Sequence, residues 1–470
     1  MKILVMKFGG TSVGNAEALR QSATIVKKYL PQWDRVVVVV SAMSGVTDML
    51  LKSAQSAASG DERTYQETIA ELRSRQAGEI AALFYKSSRH AQLQATIDKY
   101  IEDLNAFCHS VYIIGEVTPR GLDMIASLGE RMNARIFAAL LNEYEVKSSA
   151  VDATELIVTD NTFQDAVPLM AETREKVKKN LGPLLEKGVT PVVTGFIGAT
   201  REGITTTLGR GGSDYTASIL GDCLDAAEVW TWTDVDGVMT ADPRVVPDAL
   251  VIPELSFNEV GELAYFGAKV LHPKTIRPII ERSIPLWVKN TFNPDFPGTR
   301  ISQERASVPG KVTAVTTIKQ LSLVTVEGRG MLGVPGIAAR TFAAVARAGA
   351  SVLMISQASS EQSICFLIPM QAVGRVIQSL EQEMALELSR CDIDRIWAQN
   401  DVVIVTVIGA GLRQTPGVSA LVFGALGKAG INVIAIAQGS SEYSISLVVE
   451  SGNADEAVRQ IHREAILNGS

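Results

Sequence analysis

The sequence predicts an α/β protein: a layered domain with a mostly parallel sheet and helices on both faces, followed by two small α+β modules. Three observations predict it. Short apolar runs alternate with helical stretches through the first 300 residues. A Glu-, Arg-, Gln- and Ala-rich stretch from about 60 to 112 interrupts that rhythm. A block that begins at Thr325 returns at Thr406.

In order, Ile3–Phe8 reads as a strand, Asn15–Leu30 has helical periodicity, and the valines of Val36–Ser41 form a second, buried strand. This is the βαβ rhythm of a parallel sheet. Tyr65–Leu72 belongs to a helical hairpin inserted between sheet elements, and the sheet resumes with Thr190–Phe196 and Glu228–Trp232. Turn residues gather at Asn293–Gly298 and Val308–Gly310, which places a boundary near 293–312. Beyond it, Thr325-Val326-x-Gly328-x-Gly330 recurs as Thr406-Val407-x-Gly409-x-Gly411. Pro335-Gly336, Phe342, Gly349 and Gln357 recur at the same offset as Pro416-Gly417, Phe423, Gly430 and Gln438. Each copy reads strand, glycine-rich loop, helix, strand, turn, strand. The expected domains are 1–300, 312–395 and 396–470.

Composition removes several classes. With 51 acidic against 44 basic residues, a net charge of −7 and no basic stripe, a nucleic-acid partner is not expected. No apolar run approaches the roughly 20 residues of a membrane span, and no signal-peptide pattern precedes Lys7, so a cytoplasmic location and no membrane partner are expected. The four cysteines and four histidines show no metal-ligand spacing, so no protein metal site is expected and the cysteines read as reduced.

Four clusters carry chemistry. Lys7-Phe8-Gly9-Gly10-Thr11-Ser12 ends the first strand and opens the first helix, where glycine N–H groups, a helix N-terminus and a lysine suit a phosphate. Thr205–Thr216 packs three glycines with Arg210, Ser213 and Asp214 before a helical stretch at Ala217–Asp222. Arg210 suits a carboxylate, and Asp214 suits a lysine or a metal ion. Trp232–Arg244 reads as a long loop after a strand, a usual place for nucleotide contacts, with Asp236 before Gly237 read as a turn former. Phe266–Pro273 contributes Lys269 near a helix end. The dinucleotide fingerprint at Gly328-x-Gly330-x-x-Gly333 lacks the acidic residue expected about 20 positions on, so nicotinamide binding is rejected.

These clusters, in this order and followed by the paired repeats, resemble the aspartate kinases of the amino acid kinase superfamily. The resemblance covers essentially the whole chain. It implies a three-layer αβα kinase domain and two ferredoxin-like ACT modules, with ATP and Mg²⁺ as cofactors. The implied reaction transfers the ATP γ-phosphate to L-aspartate, a first step towards lysine, threonine, methionine and isoleucine. In the implied roles, Lys7 stabilises the transferring phosphoryl group, Gly9 and Gly10 supply backbone donors, and Asp214 orients Lys7. Thr47, Glu130, Arg210 and Ser213 hold aspartate. Thr233, Asp234, Met239, Arg244, Lys269 and Val270 bind the nucleotide, with Met239 standing where many relatives have tyrosine. Met331, Val334, Ile337, Ser351, Gln357, Glu361 and Gln438 bind an amino-acid effector. Threonine is the first choice, from the Ser-Gln-Ala-Ser-Ser-Glu run at 356–361 and its counterpart at 437–442. Lysine is second, because Leu353 replaces an acidic residue of lysine-responsive relatives. Pairing of the modules implies a homodimer or homotetramer. Some members are fused to a homoserine dehydrogenase, which is not expected in this chain ending at Ser470. Two alternatives stay open: a kinase of the same superfamily acting on glutamate, acetylglutamate or a nucleotide, and a catalytically silent amino-acid sensor.

Overall fold

The apolar runs of the sequence become the middle of a parallel sheet. In chain order, β1 (Ile3–Phe8), α1 (Ala16–Tyr29) and β2 (Arg35–Val40) form the first βαβ unit. Every residue of β1 is buried, as are the five valines of β2. Strands covered on both faces need no polar alternation. Asn15 caps α1 by accepting the Ala18 N–H at 2.9 Å. Four helices follow: α2 (Val46–Ala58), α3 (Glu62–Phe84), α4 (His90–Ile114) and α5 (Pro119–Glu143). Asp61 caps α3 through the Thr64 N–H at 3.0 Å, and α3 with α4 is the helical hairpin expected at 60–112.

The first unit continues through β3 (Ser148–Val151), α6 (Met170–Glu186), β4 (Thr190–Thr194), β5 (Ile197–Ala199) and β6 (Thr205–Thr207). Then come α7 (Gly212–Cys223), β7 (Glu228–Thr233), β8 (Glu254–Ser256), α8 (Phe257–Tyr265), α9 (Pro273–Glu281), β9 (Leu286–Asn290) and β10 (Thr299–Ser302). The eight-stranded sheet has the order β3-β4-β2-β1-β7-β9-β10-β8 and is parallel except between β9 and β10. β1 is central, with Phe8 level with Val40 of β2 and with Trp232 of β7, so the loops after three adjacent strands emerge at one edge. The helix expected at Ala217–Asp222 begins earlier, at Gly212. Gly211, at φ +71°, turns the chain straight into α7 and brings Ser213 and Asp214 into the first turn.

The computed structural model describes residues 1–267, 271–303, 310–357, 362–438 and 441–468. It comprises two units: Met1–Val238 with Val251–Phe257 and Val270–Arg305, and Met239–Leu250 with Asn258–Lys269 and Ala306–Ser470. Among the described residues no helix is long and apolar enough to cross a membrane.

The second unit holds β11 (Ala314–Glu327), α10 (Ile337–Arg347), β12 (Met354–Gln357), β13 (Ser363–Pro369), α11 (Val373–Glu383) and α12 (Ala385–Ser389). The second repeat adds β14 (Arg395–Ile408), α13 (Val418–Lys428), β15 (Ala435–Ala437), β16 (Ser444–Glu450) and α14 (Ala454–His462). The six strands form one antiparallel sheet, β12-β13-β11-β14-β16-β15. The two long strands are shared. Residues 314–318 of β11 pair with 404–408 of β14, and 321–327 pair with the first half of β14. Gln320 and Asp401 take left-handed backbone, φ +63° and +57°, at the register shift of β11 and at the matching repeat position of β14.

Residues 239–250 and 258–269, read in sequence as part of 1–300, group with this second unit. The reason is packing: Ala241 and Val246 lie in the core of the second module with Val403, Leu447 and Val458. The Val315 N–H donates to the Thr240 carbonyl at 2.8 Å, and Thr240 Oγ1 lies 2.8 Å from His462 Nε2.

Candidate active site

At the carboxyl edge of β1 and β2 a cleft of about 580 Å³ is lined by Lys7, Gly10, Thr47, Glu130, Arg210, Ser213 and Asp214, among others. Residues 7–12 and 206–214, two hundred positions apart in sequence, therefore face the same space. Lys7, near the end of β1, is 7% exposed, and its Nζ lies 2.8 Å from Asp214 Oδ1 in the first turn of α7. Thr231, level with Lys7 on β7, approaches the same carboxylate oxygen at 3.5 Å. The lysine is thus aimed along the cleft with its counter-ion fixed from the other wall.

The glycine turn does less than expected in one respect. The Gly9 N–H donates to the Trp232 carbonyl at 3.0 Å, extending the β1–β7 ladder, so this donor is engaged by the sheet and does not face a phosphate. Gly10 is needed for closeness: a Cβ there would stand 3.2 Å from the Ala42 carbonyl oxygen.

Glu130, on α5, is 4% exposed. Its Oε1 accepts the Ala42 N–H at 3.2 Å, while Oε2 has no hydrogen-bond partner. Burial pushes its carboxyl up to about 8, against the opposing pull of the backbone hydrogen bonds. A buried carboxylate with one open oxygen, lining a cleft, is suited to a cationic ligand group. Arg210 is exposed at the mouth and Ser213 is buried.

This architecture is shared with known proteins. A model of the amino acid kinase family matches residues 2–290, and a model of the ACT domain matches 324–384 and 405–465. Aspartokinase 2 of Arabidopsis thaliana is 35% identical over 465 residues, which cover 97% of this chain and 83% of that protein. The chain belongs to the aspartokinases. Aspartokinase III of E. coli, solved in complex with aspartate and ADP (R-state), has a TM-score of 0.81 at 32% identity, covering 98% of this chain and 99% of that one. Its complex with lysine and aspartate (T-state) gives 0.79. The bifunctional aspartokinase/homoserine dehydrogenase 1 of Zea mays is 38% identical over 99% of this chain. The chain spans about half the length of that relative (50%).

One residue of this aspartokinase cleft was missed in sequence. Asp123 is 1% exposed and accepts the N–H groups of Gln164 and Thr207, both at 3.0 Å, and the Thr207 hydroxyl at 2.7 Å. Burial raises its carboxyl above the usual carboxylate range. It ties α5 to the strand that leads into the 208–214 loop. The available signal was its position, two helical turns before Glu130 and on the same face. Asp123→Asn turns one acceptor into a donor facing donors and is expected to destabilise the protein by about 2 kcal/mol in denaturant unfolding.

The residues expected at the nucleotide do not all belong to one unit. Thr233 ends β7 and Asp234 follows it at the same sheet edge, with the Thr233 hydroxyl donating to Asp234 at 3.1 Å, but they do not line the 580 Å³ cleft. Met239 and Arg244 fall in the other unit. Arg244 is paired with Asp242 at 2.6 Å, an arginine that holds the Asp242 carboxyl below its usual range. Asp236 accepts from Asn290 and Asn293 at 2.8 and 3.0 Å, and so anchors its loop. Lys269 and Val270 lie outside the described residues.

In the second unit, Met331, Val334, Ile337 and Gln357 line a pocket of about 300 Å³ at the N-terminus of α10. Ser351 and Gln438 are exposed and do not line it, and Glu361 lies outside the described residues.

Proposed function

We propose that this chain transfers the γ-phosphate of ATP to the β-carboxylate of L-aspartate, giving 4-phospho-L-aspartate. The observation that carries the reading is one cleft holding the Lys7–Asp214 pair, the unpartnered oxygen of Glu130 and the guanidinium of Arg210. Two anions must meet there. The acceptor carboxylate, with a pKa near ~4, is ionised at neutral pH, so no general base is needed. The barrier lies in repulsion and alignment, which favours a fixed cation and positioning. Glu130 takes the substrate ammonium and Arg210 its α-carboxylate, with Thr47 and Ser213 at the walls. Lys7 then meets the charge that builds on the phosphoryl oxygens, and Asp214 keeps it aimed. Thr233 and Asp234 sit where the nucleotide enters. The E. coli relative solved with aspartate and ADP supports the same pair of ligands.

Among the described residues no group of three or more His, Cys, Asp or Glu side chains is arranged to hold a metal ion. The described donor set does not by itself fit a resident Mg²⁺. Mg²⁺ would travel on the nucleotide phosphates with water completing its shell. A coupled assay of ADP release with aspartate, glutamate and acetylglutamate tests the reading. Turnover with aspartate above the others is expected, and turnover with either rival but not aspartate would overturn it.

An amino-acid effector is placed at the α10 pocket, threonine first and lysine second. The pocket's size supports this location, and the lysine complex of the E. coli relative supports an amino-acid effector. Calorimetry should show binding of one of the two, weakened at least about tenfold in Gln357→Ala by loss of a side-chain hydrogen bond to a charged ligand. No heat with either amino acid would remove the effector reading. Half-exposed Ile355 and Ile436 on the outer strands β12 and β15 support assembly through this sheet, as a homodimer or homotetramer that light scattering would size.

A further inference from the structure

The cleft depends on how two loops are held together, and the inserted helical hairpin reaches that junction. One wall is the end of β1 with the turn after it, which carry Lys7 and Gly10. The other is the turn after β2, which carries Ser44 and Gly45 and leads into Thr47 in the first turn of α2. The Ser44 N–H donates directly to the Gly10 carbonyl at 3.2 Å. Behind this contact stands Arg75 of α3. Its Nη2 donates to the Gly14 carbonyl at 3.1 Å and to the Ser44 carbonyl at 2.8 Å, one atom joining both loops. One helical turn further on, Glu79 accepts the Ala16 N–H at 2.5 Å at the start of α1. Between them Gln76, 1% exposed, reaches Met43 Sδ at 3.8 Å. The same 42–45 loop supplies the Ala42 N–H to Glu130. Arg75 itself does not line the cleft.

We propose that Arg75 is a positioning residue for phosphoryl transfer: its guanidinium sets the spacing between the loop that follows Lys7 and the loop that leads into Thr47. This rests on the kinase reading above. The two hydrogens of Nη2 are fixed in the guanidinium plane, so they hold two carbonyls from separate loops more rigidly than a flexible ammonium does. A slip of the β2 loop displaces Thr47 and the Glu130 anchor together, away from Lys7, which would degrade alignment more than ground-state binding.

The test compares wild type, Arg75→Ala, Arg75→Lys and the exposed control Arg73→Ala by steady-state kinetics, thermal melting and amide hydrogen exchange. Arg75→Ala is expected to lose about ten- to hundredfold in kcat with KM for aspartate changed by less than about threefold. Arg75→Lys should recover part of the loss, added guanidinium ion should restore part of the Arg75→Ala rate, and Arg73→Ala should match wild type. Exchange should quicken in Arg75→Ala at both 10–16 and 43–49. Unchanged kcat in Arg75→Ala, or a loss that follows a lowered melting temperature with no rescue, would overturn the proposal. So would exchange that quickens in only one loop or in neither. If wild type shows no aspartate-dependent turnover, the kinase reading fails, and the exchange pattern still decides whether Arg75 joins the loops.

Discussion

Lys7→Ala is expected to lower kcat by about 10²–10³-fold, the scale of removing one preorganised charge-stabilising donor, while the affinity for aspartate changes little. The asymmetry follows from where the side chain sits. Lys7 is nearly buried on the central strand, held by Asp214 at 2.8 Å, while the groups assigned to the amino acid's own charges are Glu130 and Arg210. A cation that meets charge only as the phosphoryl group moves raises kcat without deepening substrate binding. Removing Lys7 also leaves the Asp214 carboxylate unpaired beside the incoming phosphate, a second penalty of the same sign. Lys7→Met with Asp214→Asn separates the two. If repulsion from Asp214 contributes, the double variant is faster than Lys7→Met alone. Aspartate binding by calorimetry and melting temperature must be near wild type for the comparison to hold. A folded Lys7→Ala protein that turns over within about threefold of wild type would remove the central assignment.

The parts of this site that were legible in sequence are those where chemistry is contiguous. Lys7 to Gly10 and Arg210 to Asp214 announce themselves because glycines and charged groups stand side by side at strand-to-helix turns. What such a pattern cannot show is how each backbone donor is used, and Gly9 is the example, its N–H drawn into the sheet by Trp232. Asp123 was hidden for a related reason. Its partners, Gln164 and Thr207, are 41 and 84 residues away, so nothing local marks it except its helical phase with Glu130. The repeat was visible from its offset. The sharing of β11 and β14 between modules was not, because the breaks at Gln320 and Asp401 carry neither glycine nor proline. The packing of residues 239–250 with the second unit was not legible, because Ala241 and Val246 are too sparse to show periodicity, and Arg244 looks free until Asp242 is seen against it.

Glu130→Gln should change the pH behaviour of the protein as well as its affinity. In the free cleft burial holds the Glu130 carboxyl up at about 8 from 4.5, so near neutral pH it carries a proton that the unfolded chain has lost. The sign for stability follows. Below 4.5 both states hold the proton and the group costs nothing. As pH climbs from there through about 8, the unfolded state is favoured progressively, and stability falls. Glu130→Gln lacks that slope, so its unfolding free energy relative to wild type should improve as pH rises across this window.

Substrate reverses the preference. An ammonium group placed against Oε2 favours the ionised carboxylate, so aspartate binding at neutral pH must expel a proton, and affinity should strengthen as pH rises towards about 8. In Glu130→Gln the affinity should be about ten- to hundredfold weaker, from loss of a charged hydrogen bond, and flat across the same range. Calorimetry in buffers of different ionisation heat counts the proton directly: close to one released by wild type near neutrality, none by the variant. Release of no proton by wild type, together with a pH-independent affinity, would mean that the ammonium binds elsewhere. The open oxygen of Glu130 would then be a structural feature of α5, and Asp48, Asp123 and Asp214 would be the remaining carboxylates of the cleft able to take the substrate's positive charge.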